Sequence, residues 1–236
     1  MIFAAGKGTR LGEIALKTPK VIMDINGKSI LHRVVEKCAG SGFDDIIINV
    51  YHLAELVIDE VLKLRTLGYR ISVSDESDGL LDTGGGLYKA RKFFDNEPFL
   101  LYNADILTDL NINELYSFHL KNKGLATLAV RNRPGTRFFL IDPDGLLCGW
   151  INRATGEKIV VREKDKNLNE IAFSSIHIVE PEIFNYMHEG IYSMKSIYLD
   201  IASTHPIYTS TCNSGYWFDI GTPEKLDEAR AYFKNL

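Results

Sequence analysis

Apolar positions follow two alternating rhythms through the first 130 residues. Met1–Ala5 is a short apolar run that stops at a glycine-rich segment, the pattern of a buried strand feeding a loop. Ile46–Val50 is a second continuous run, as expected of a strand covered on both faces. Between them Ile30, Leu31, Val34, Val35 and Cys38 share one helical face, with Ser29 placed to cap that helix and Gly40 and Gly42 to end it. Leu53–Leu64 repeats at helical spacing, Arg70–Ser74 reads as a strand, residues 75–86 as a polar, glycine-rich loop, and Leu87–Phe94 as a helix. Pro98–Tyr102 is a strand ending in Asn103-Ala104-Asp105. A helix over Ile112–Leu120 follows, with Asp109 and Asn111 before it as cap or turn residues, and then a strand over Leu125–Val130. Strands alternating with helices predict an α/β fold around a doubly wound, mainly parallel (Rossmann-like) sheet.

After about residue 130 the rhythm changes. Phe138–Ile141, a turn at Asp144-Gly145, and Leu146–Ile151 read as a hairpin. Ile159–Arg162 and Ile171–Val179 read as further strands, Pro181 as the first turn of a helix, Trp217–Ile220 as a strand end and Pro223–Phe233 as a closing helix. No linker-like stretch separates the halves. The expectation is one domain over 1–236, with a lobe at about 1–130 and a smaller one at about 131–236. No internal repeat is visible, hexapeptide repeats included.

Composition narrows the picture little. With 236 residues, 45% apolar and 25% charged, and a net charge of −4, the chain has the makeup of a globular protein and no basic excess that would call for nucleic acid. No stretch approaches about 18 uninterrupted apolar residues, so no membrane span is expected. The opening MIFAAGKGTR lacks the apolar core of a secretory leader. Cys38, Cys148 and Cys212 are odd in number and widely spaced, which argues against a disulfide framework or structural zinc and for a cytoplasmic setting. The six histidines are scattered and read as structural. Charge is uneven, however: residues 1–30 hold Lys7, Arg10, Lys17, Lys20 and Lys28 against Glu13 and Asp24.

Those basic residues sit among glycines. Ala4-Ala5-Gly6-Lys7-Gly8-Thr9-Arg10 follows the first strand directly, a place where backbone N–H groups can wrap an anion while Lys7 and Arg10 add charge. The spacing matches neither a Walker loop nor the dinucleotide fingerprint. A plain strand–turn remains the alternative reading. Thr18-Pro19-Lys20 has its backbone restricted by proline, so Lys20 can be aimed back at the same anion. Asp105 and Asp219 each close an apolar segment, where α/β sheets place ligands. Two such carboxylates would suit a hard cation such as Mg²⁺, or each would serve as a cap or turn residue.

The run AAGKGTRL followed by Pro19-Lys20 resembles the signature of the sugar-1-phosphate nucleotidyltransferases. Later segments are similar in order: Asn103-Ala104-Asp105, Arg162-Glu163-Lys164, Phe173-Ser174-Ser175-Ile176, Pro181-Glu182-Ile183-Phe184 and Trp217-Phe218-Asp219-Ile220-Gly221-Thr222-Pro223. Leu81-Asp82-Thr83-Gly84-Gly85-Gly86 looks most like the N-acetylmuramate 1-phosphate uridylyltransferase branch, and mannose and heptose guanylyltransferases carry similar glycines. The sequence departs from the pattern at Gly12-Glu13-Ile14-Ala15 and at Ser175, where the family has glycine.

The resemblance implies the nucleotide-diphospho-sugar transferase fold with a smaller sugar-binding lobe. It implies a nucleoside triphosphate and a sugar 1-phosphate as partners, Mg²⁺ as cofactor, a product that is a cell-wall or polysaccharide precursor, and a monomer or homodimer. By that resemblance Ala5, Gly6, Lys7, Gly8, Thr9 and Arg10 hold the triphosphate, with Arg10 and Lys20 catalytic. Glu76, Gly79 and Gly84 lie near the base, Glu163, Lys164 and Ser174 near the sugar phosphate, and Asp105 and Asp219 on the metal. Arg137 and Arg153 are candidates for an acidic sugar substituent. Two other readings stay open: a non-catalytic nucleotide-sugar sensor, and a cytidylyltransferase acting on a non-sugar phosphate.

Overall fold

The computed structural model describes residues 1–162 and 167–234. In chain order its elements are β1 (Ile2–Phe3), α1 (Glu13–Lys17), β2 (Asp24–Ile25), β3 (Lys28–Ser29), α2 (Ile30–Gly40), β4 (Asp45–Val50), α3 (Ala54–Thr66), β5 (Arg70–Asp75), α4 (Asp82–Lys89), β6 (Phe99–Asn103) and β7 (Ile106–Thr108). There follow α5 (Ile112–Asn122), β8 (Ala126–Arg131), β9 (Arg137–Ile141), β10 (Leu147–Asn152), β11 (Glu157–Val160), β12 (Asn169–Val179), α6 (Met194–Ala202), β13 (Ile207–Thr211), β14 (Trp217–Asp219) and α7 (Pro223–Lys234). The chain divides into two compact units. Unit one is Met1–Asp82, Tyr102–Leu110 and Gly215–Leu236; unit two is Thr83–Leu101 and Asn111–Ser214.

Unit one is built on parallel strands. β1 lies between β4 and β6, with Ile2 opposite Ile48 on one side and Tyr102 on the other, and β4 pairs with β5 along its whole length. Ile46, Ile47, Ile48 and Val50 are all buried, which is why this run carries no polar alternation. The predicted α2 is present: the Ser29 hydroxyl accepts the His32 N–H at 3.0 Å, and Ile30, Leu31, Val34, Val35 and Cys38 are each at most 2% exposed. β14 pairs antiparallel with β7, setting Asp219 opposite Ile106, and α7 buries Leu226 and Ala229.

Unit two has a mixed sheet. β8 runs antiparallel to β12 and parallel to β13, and β12 continues through β9 and β10 to β11 by antiparallel pairs. The predicted hairpin turn is held by Asp142, whose carboxylate accepts the N–H groups of Asp144 at 3.0 Å and Leu146 at 2.8 Å, with Gly145 at φ +78°.

Two local expectations need correction. α4 begins at Asp82, inside the stretch read as loop. The N–H groups of Gly84 and Gly85 donate to the Tyr192 carbonyl, and a Cβ on Gly84 would lie 2.5 Å from the Tyr192 ring. These glycines therefore serve close packing in a helical first turn rather than loop freedom. Pro181–Tyr186 is a 3-10 segment rather than an α-helix. Of the two polar residues expected before α5, Asn111 is the cap, accepting the N–H groups of Asn113 and Glu114. α6 and β13 were not anticipated.

β12 slips register against β8 between Phe173 and His177, and within that bulge Ser175 sits at φ +63°. A side chain is strained there, and glycine is the residue that such a backbone favours. Ser175→Gly should therefore raise the unfolding free energy by about 0.5–1 kcal/mol, measured by urea denaturation.

His177, two residues further along this strand, packs edge-on to Phe173 and Tyr198, with ring centroids at 5.3 and 5.5 Å, and shares a hydrogen bond with the Tyr198 hydroxyl. Burial holds its pKa down to about 3. The unfolded chain takes up this proton near pH 6.5 and the native chain does not, so stability rises with pH between about 3 and 6.5 and levels off above. His119, whose pKa is lowered by burial against the pull of Glu180, acts with the same sign. His177→Gln should flatten this dependence by up to about 1.4 kcal/mol per pH unit, measured as unfolding free energy from pH 4 to 7.

Candidate active site

The glycine-rich loop leaves the carboxyl end of β1. Gly8 stands at φ +63°, and its carbonyl accepts the Leu11 N–H at 2.9 Å, starting a 3-10 turn over Thr9–Leu11. Gly12, at φ +61° and ψ −136°, turns the chain into α1, a backbone geometry that only glycine adopts readily. Gly6, Lys7, Thr9 and Arg10 are exposed, while Ala5 is buried. The Lys7 ammonium lies 5.7 Å from the Tyr51 ring centroid, and His52 holds the Ala15 carbonyl at 2.9 Å, tying α1 to the segment after β4.

Thr18 is extended (φ −137°, ψ 117°), as its place before Pro19 requires, and Lys20 opens a 3-10 turn. The Lys20 Cβ lies 3.4 Å from where a Gly8 Cβ would stand, so a side chain on Gly8 would crowd it. Its ammonium meets the Asp105 carboxylate at 2.5 Å, with side chains only 11% and 21% exposed. Asp105 is fixed from three sides. The Ala104 N–H donates to the Phe3 carbonyl at 3.0 Å, the Ile220 N–H donates to the Asp105 carbonyl at 2.9 Å, and the buried Tyr102 hydroxyl reaches over to the Ile106 carbonyl at 3.2 Å.

The Ile220 bond and the β7–β14 register bring Asp219 beside Asp105. Asp219 faces Arg10 at 3.7 Å. Unit one thus gathers Arg10, Lys20, Asp105 and Asp219 at one strand edge as two cation–carboxylate pairs. Two neighbouring carboxylates are hard-oxygen donors that fit a cation such as Mg²⁺, the rest of whose shell would come from outside the protein. Among the described residues no group of three or more His, Cys, Asp or Glu is arranged to hold a metal by itself.

Glu76, expected near a base, is fully buried just beyond β5 and accepts the side-chain N–H of Asn49 at 2.7 Å and the Leu81 N–H at 3.3 Å. Gly79 closes a turn onto the Glu76 carbonyl at 2.8 Å. In unit two, Gly84 lies in the first turn of α4 against Tyr192, and Ser174 is 1% exposed in the β12 bulge. The Arg153 guanidinium is held by Glu170. Glu163 and Lys164 lie outside the described residues. Two residues were missed. Asn49 was signalled by being the one polar residue in an apolar run. Gly221 lies so close to the Arg10 guanidinium that an added Cβ would stand 2.5 Å from Nη2.

The nucleotidyl transferase family model matches residues 1–235, so the chain belongs to the nucleotidyl transferase family. The chain is 29% identical over 234 residues to the N-acetylmuramate alpha-1-phosphate uridylyltransferase of Neisseria meningitidis, spanning 98% of this chain and 96% of that one. It is 30% identical over 203 residues to the UTP–glucose-1-phosphate uridylyltransferase of Synechocystis (80% of this chain, 51% of that protein). With the mannose-1-phosphate guanyltransferase of Yarrowia lipolytica it shares 27% identity (95% and 61%). Among solved structures, HddC from Yersinia pseudotuberculosis complexed with GMP-PN superposes with a TM-score of 0.77 at 24% identity, over 98% of this chain and 97% of that one. An apo UDP-glucose pyrophosphorylase gives 0.78 at 18% identity, over 99% and 97%. The fold is the nucleotide-diphospho-sugar transferase fold, and the relatives are sugar-1-phosphate nucleotidyltransferases. No described helix is long and apolar enough to cross a membrane.

Gly221→Ala should push the end of the Arg10 side chain away from Asp219 at little cost to the fold, since a guanidinium on a flexible stem yields easily. Calorimetry should show nucleoside triphosphate binding weakened roughly 3- to 10-fold with Tm unchanged.

Proposed function

We propose that this chain transfers a nucleoside monophosphate from a nucleoside triphosphate to a sugar 1-phosphate in the cytoplasm, releasing pyrophosphate. The observation that carries this reading is the pairing of Lys20 with Asp105 and Arg10 with Asp219 beside a glycine-rich loop. A sugar phosphate has a second pKa of about 6, so at neutral pH its oxygen needs no general base. That oxygen attacks the α-phosphorus, and the bond from the α-phosphorus to the oxygen bridging to the β-phosphate breaks. The work left to the protein is holding the anions together and in line.

In this reading Gly6, Lys7, Gly8, Thr9 and Arg10 take the triphosphate, and Lys20 turns from Asp105 toward the α-phosphate as charge gathers there. Asp105 and Asp219 would hold a divalent cation, Mg²⁺ best matching their hard oxygens, and it would neutralise phosphate charge when bound. Gly79 would lie beside the base, while the Gly84 N–H is already engaged by the Tyr192 carbonyl. Ser174, with Glu163 and Lys164, would meet the sugar phosphate.

For the substrates we favour UTP with N-acetylmuramate 1-phosphate, because the Neisseria relative matches across nearly the full length of both chains. With Arg153 paired to Glu170, Arg137 is the better candidate for the lactyl carboxylate. The alternative is GTP with mannose or heptose 1-phosphate, supported by the mannose-1-phosphate guanyltransferase relatives.

Pyrophosphate release, measured for UTP and GTP each with N-acetylmuramate, N-acetylglucosamine, mannose and heptose 1-phosphates, should be highest in kcat/KM for the first pair. A tenfold or greater preference for GTP with mannose or heptose would overturn that choice and leave the reaction class standing. Lys20→Ala should lower kcat roughly 30- to 1,000-fold, more than it weakens nucleotide binding. Asp105→Asn should nearly abolish turnover, and EDTA should stop the wild type until Mg²⁺ is restored.

A further inference from the structure

The parallel strands β1, β4 and β5 end at the same edge of unit one, and where their backbone ladder stops two buried side chains continue it. Ala4, the residue after β1, donates its N–H to the Asn49 side-chain carbonyl at 2.7 Å. The Asn49 amide nitrogen donates to Glu76 Oε1 at 2.7 Å, and Glu76 Oε2 receives the Leu81 N–H at 3.3 Å. The backbone joins in: the Glu76 N–H donates to the Val50 carbonyl at 2.8 Å, and the Glu76 carbonyl accepts the Gly79 N–H at 2.8 Å. Asn49 is 2% exposed and Glu76 fully buried, so water does not compete for these bonds. The result is a strap from the root of the loop at Gly6–Arg10 to the loop at residues 76–81.

We infer that Asn49 and Glu76 are positioning residues that fix the spacing between the two loops that grip the nucleotide; this rests on the reading of those loops given under Proposed function. Both side chains are buried, so each acts through the backbone groups it holds. Glu76 acts through Asn49 on Ala4, and through its own carboxylate on Leu81. The chemistry of the pair is directional. Only an amide at position 49 both accepts from Ala4 and donates to a carboxylate, and only a group with two acceptor oxygens at position 76 takes both Asn49 and Leu81.

This directionality defines a rescue. Asn49→Asp alone sets two buried carboxylates against each other. Glu76→Gln alone turns an amide donor toward either Asn49 or Leu81 and breaks one bond. The double variant Asn49→Asp/Glu76→Gln reverses the polarity of the central bond and restores all three of these bonds: aspartate accepts from Ala4 and from the glutamine amide, while the glutamine carbonyl accepts from Leu81.

The test measures steady-state kinetics and Tm for the wild type, both single variants and the double variant. Nucleotide binding is measured in parallel by calorimetry with UTP and with GTP, each with Mg²⁺. Each single variant should weaken nucleotide binding, and raise KM for the nucleotide, by about tenfold or more, the scale of one orphaned buried partner. KM for the sugar 1-phosphate should stay within about twofold, and the double variant should return to within about threefold of wild type. Folded single variants with unchanged nucleotide KM and affinity would overturn the inference, as would a double variant no better than the worse single. Should a single variant fail to fold, the double variant decides alone: weakened nucleotide binding in a folded double overturns the inference, and wild-type binding supports it. A wild type that binds nucleotide but turns over no sugar 1-phosphate would defeat the proposed reaction, and the binding measurements would still judge the strap. A wild type that binds neither nucleotide would overturn the strap's role as well.

Discussion

The meeting of Lys20 with Asp105 is the interaction on which the rest of unit one turns. Their side chains are 11% and 21% exposed, too little water for either charge to stand alone without cost. To bring them together, Pro19 must aim the lysine and Gly8 must leave room for its stem. The connection between β6 and β7 must be pinned by Phe3, Tyr102 and Ile220. In the reaction proposed above, an incoming polyanion takes each cation over from its carboxylate, exchanging one oxygen partner for another.

Much of this was legible in the residues. The cap at Ser29, the doubly covered strand at Ile46–Val50, the hairpin turn at Asp144-Gly145 and the strand end at Asp219 all follow from local rules, and all are present. What the residues hid was set by partners distant in sequence. Gly84, Gly85 and Gly86 look like a loop until Tyr192 is found against Gly84, where an absent side chain leaves room for the Tyr192 ring beside the first turn of a helix. Asn49 looks like an interruption in a strand until it is found between Ala4 and Glu76, residues separated from it by 45 and 27 positions. Asp109 competed with Asn111 for the same cap, and nothing local decides between two short polar side chains two positions apart.

The resemblance puts Glu76 near a base, and the structure shows its buried carboxylate accepting from Asn49 and Leu81. At Ser175 the expected glycine is absent, but the left-handed backbone that calls for glycine remains, so the bulge beside Ser174 is retained at a cost in strain.

The composition of unit one has a consequence for how the chain acquires its structure. Its first strand pairs with residues near position 48 and near position 102, and the partner of Arg10 is Asp219. Unit two is interposed in two pieces, Thr83–Leu101 between Asp82 and Tyr102 and Asn111–Ser214 between Leu110 and Gly215. A ribosome therefore delivers the whole of unit two before it delivers β14, and the edge strand β7 waits for it. The order of completion is the reverse of the order in which the units begin, and the two carboxylates come side by side only with the last strand to pair.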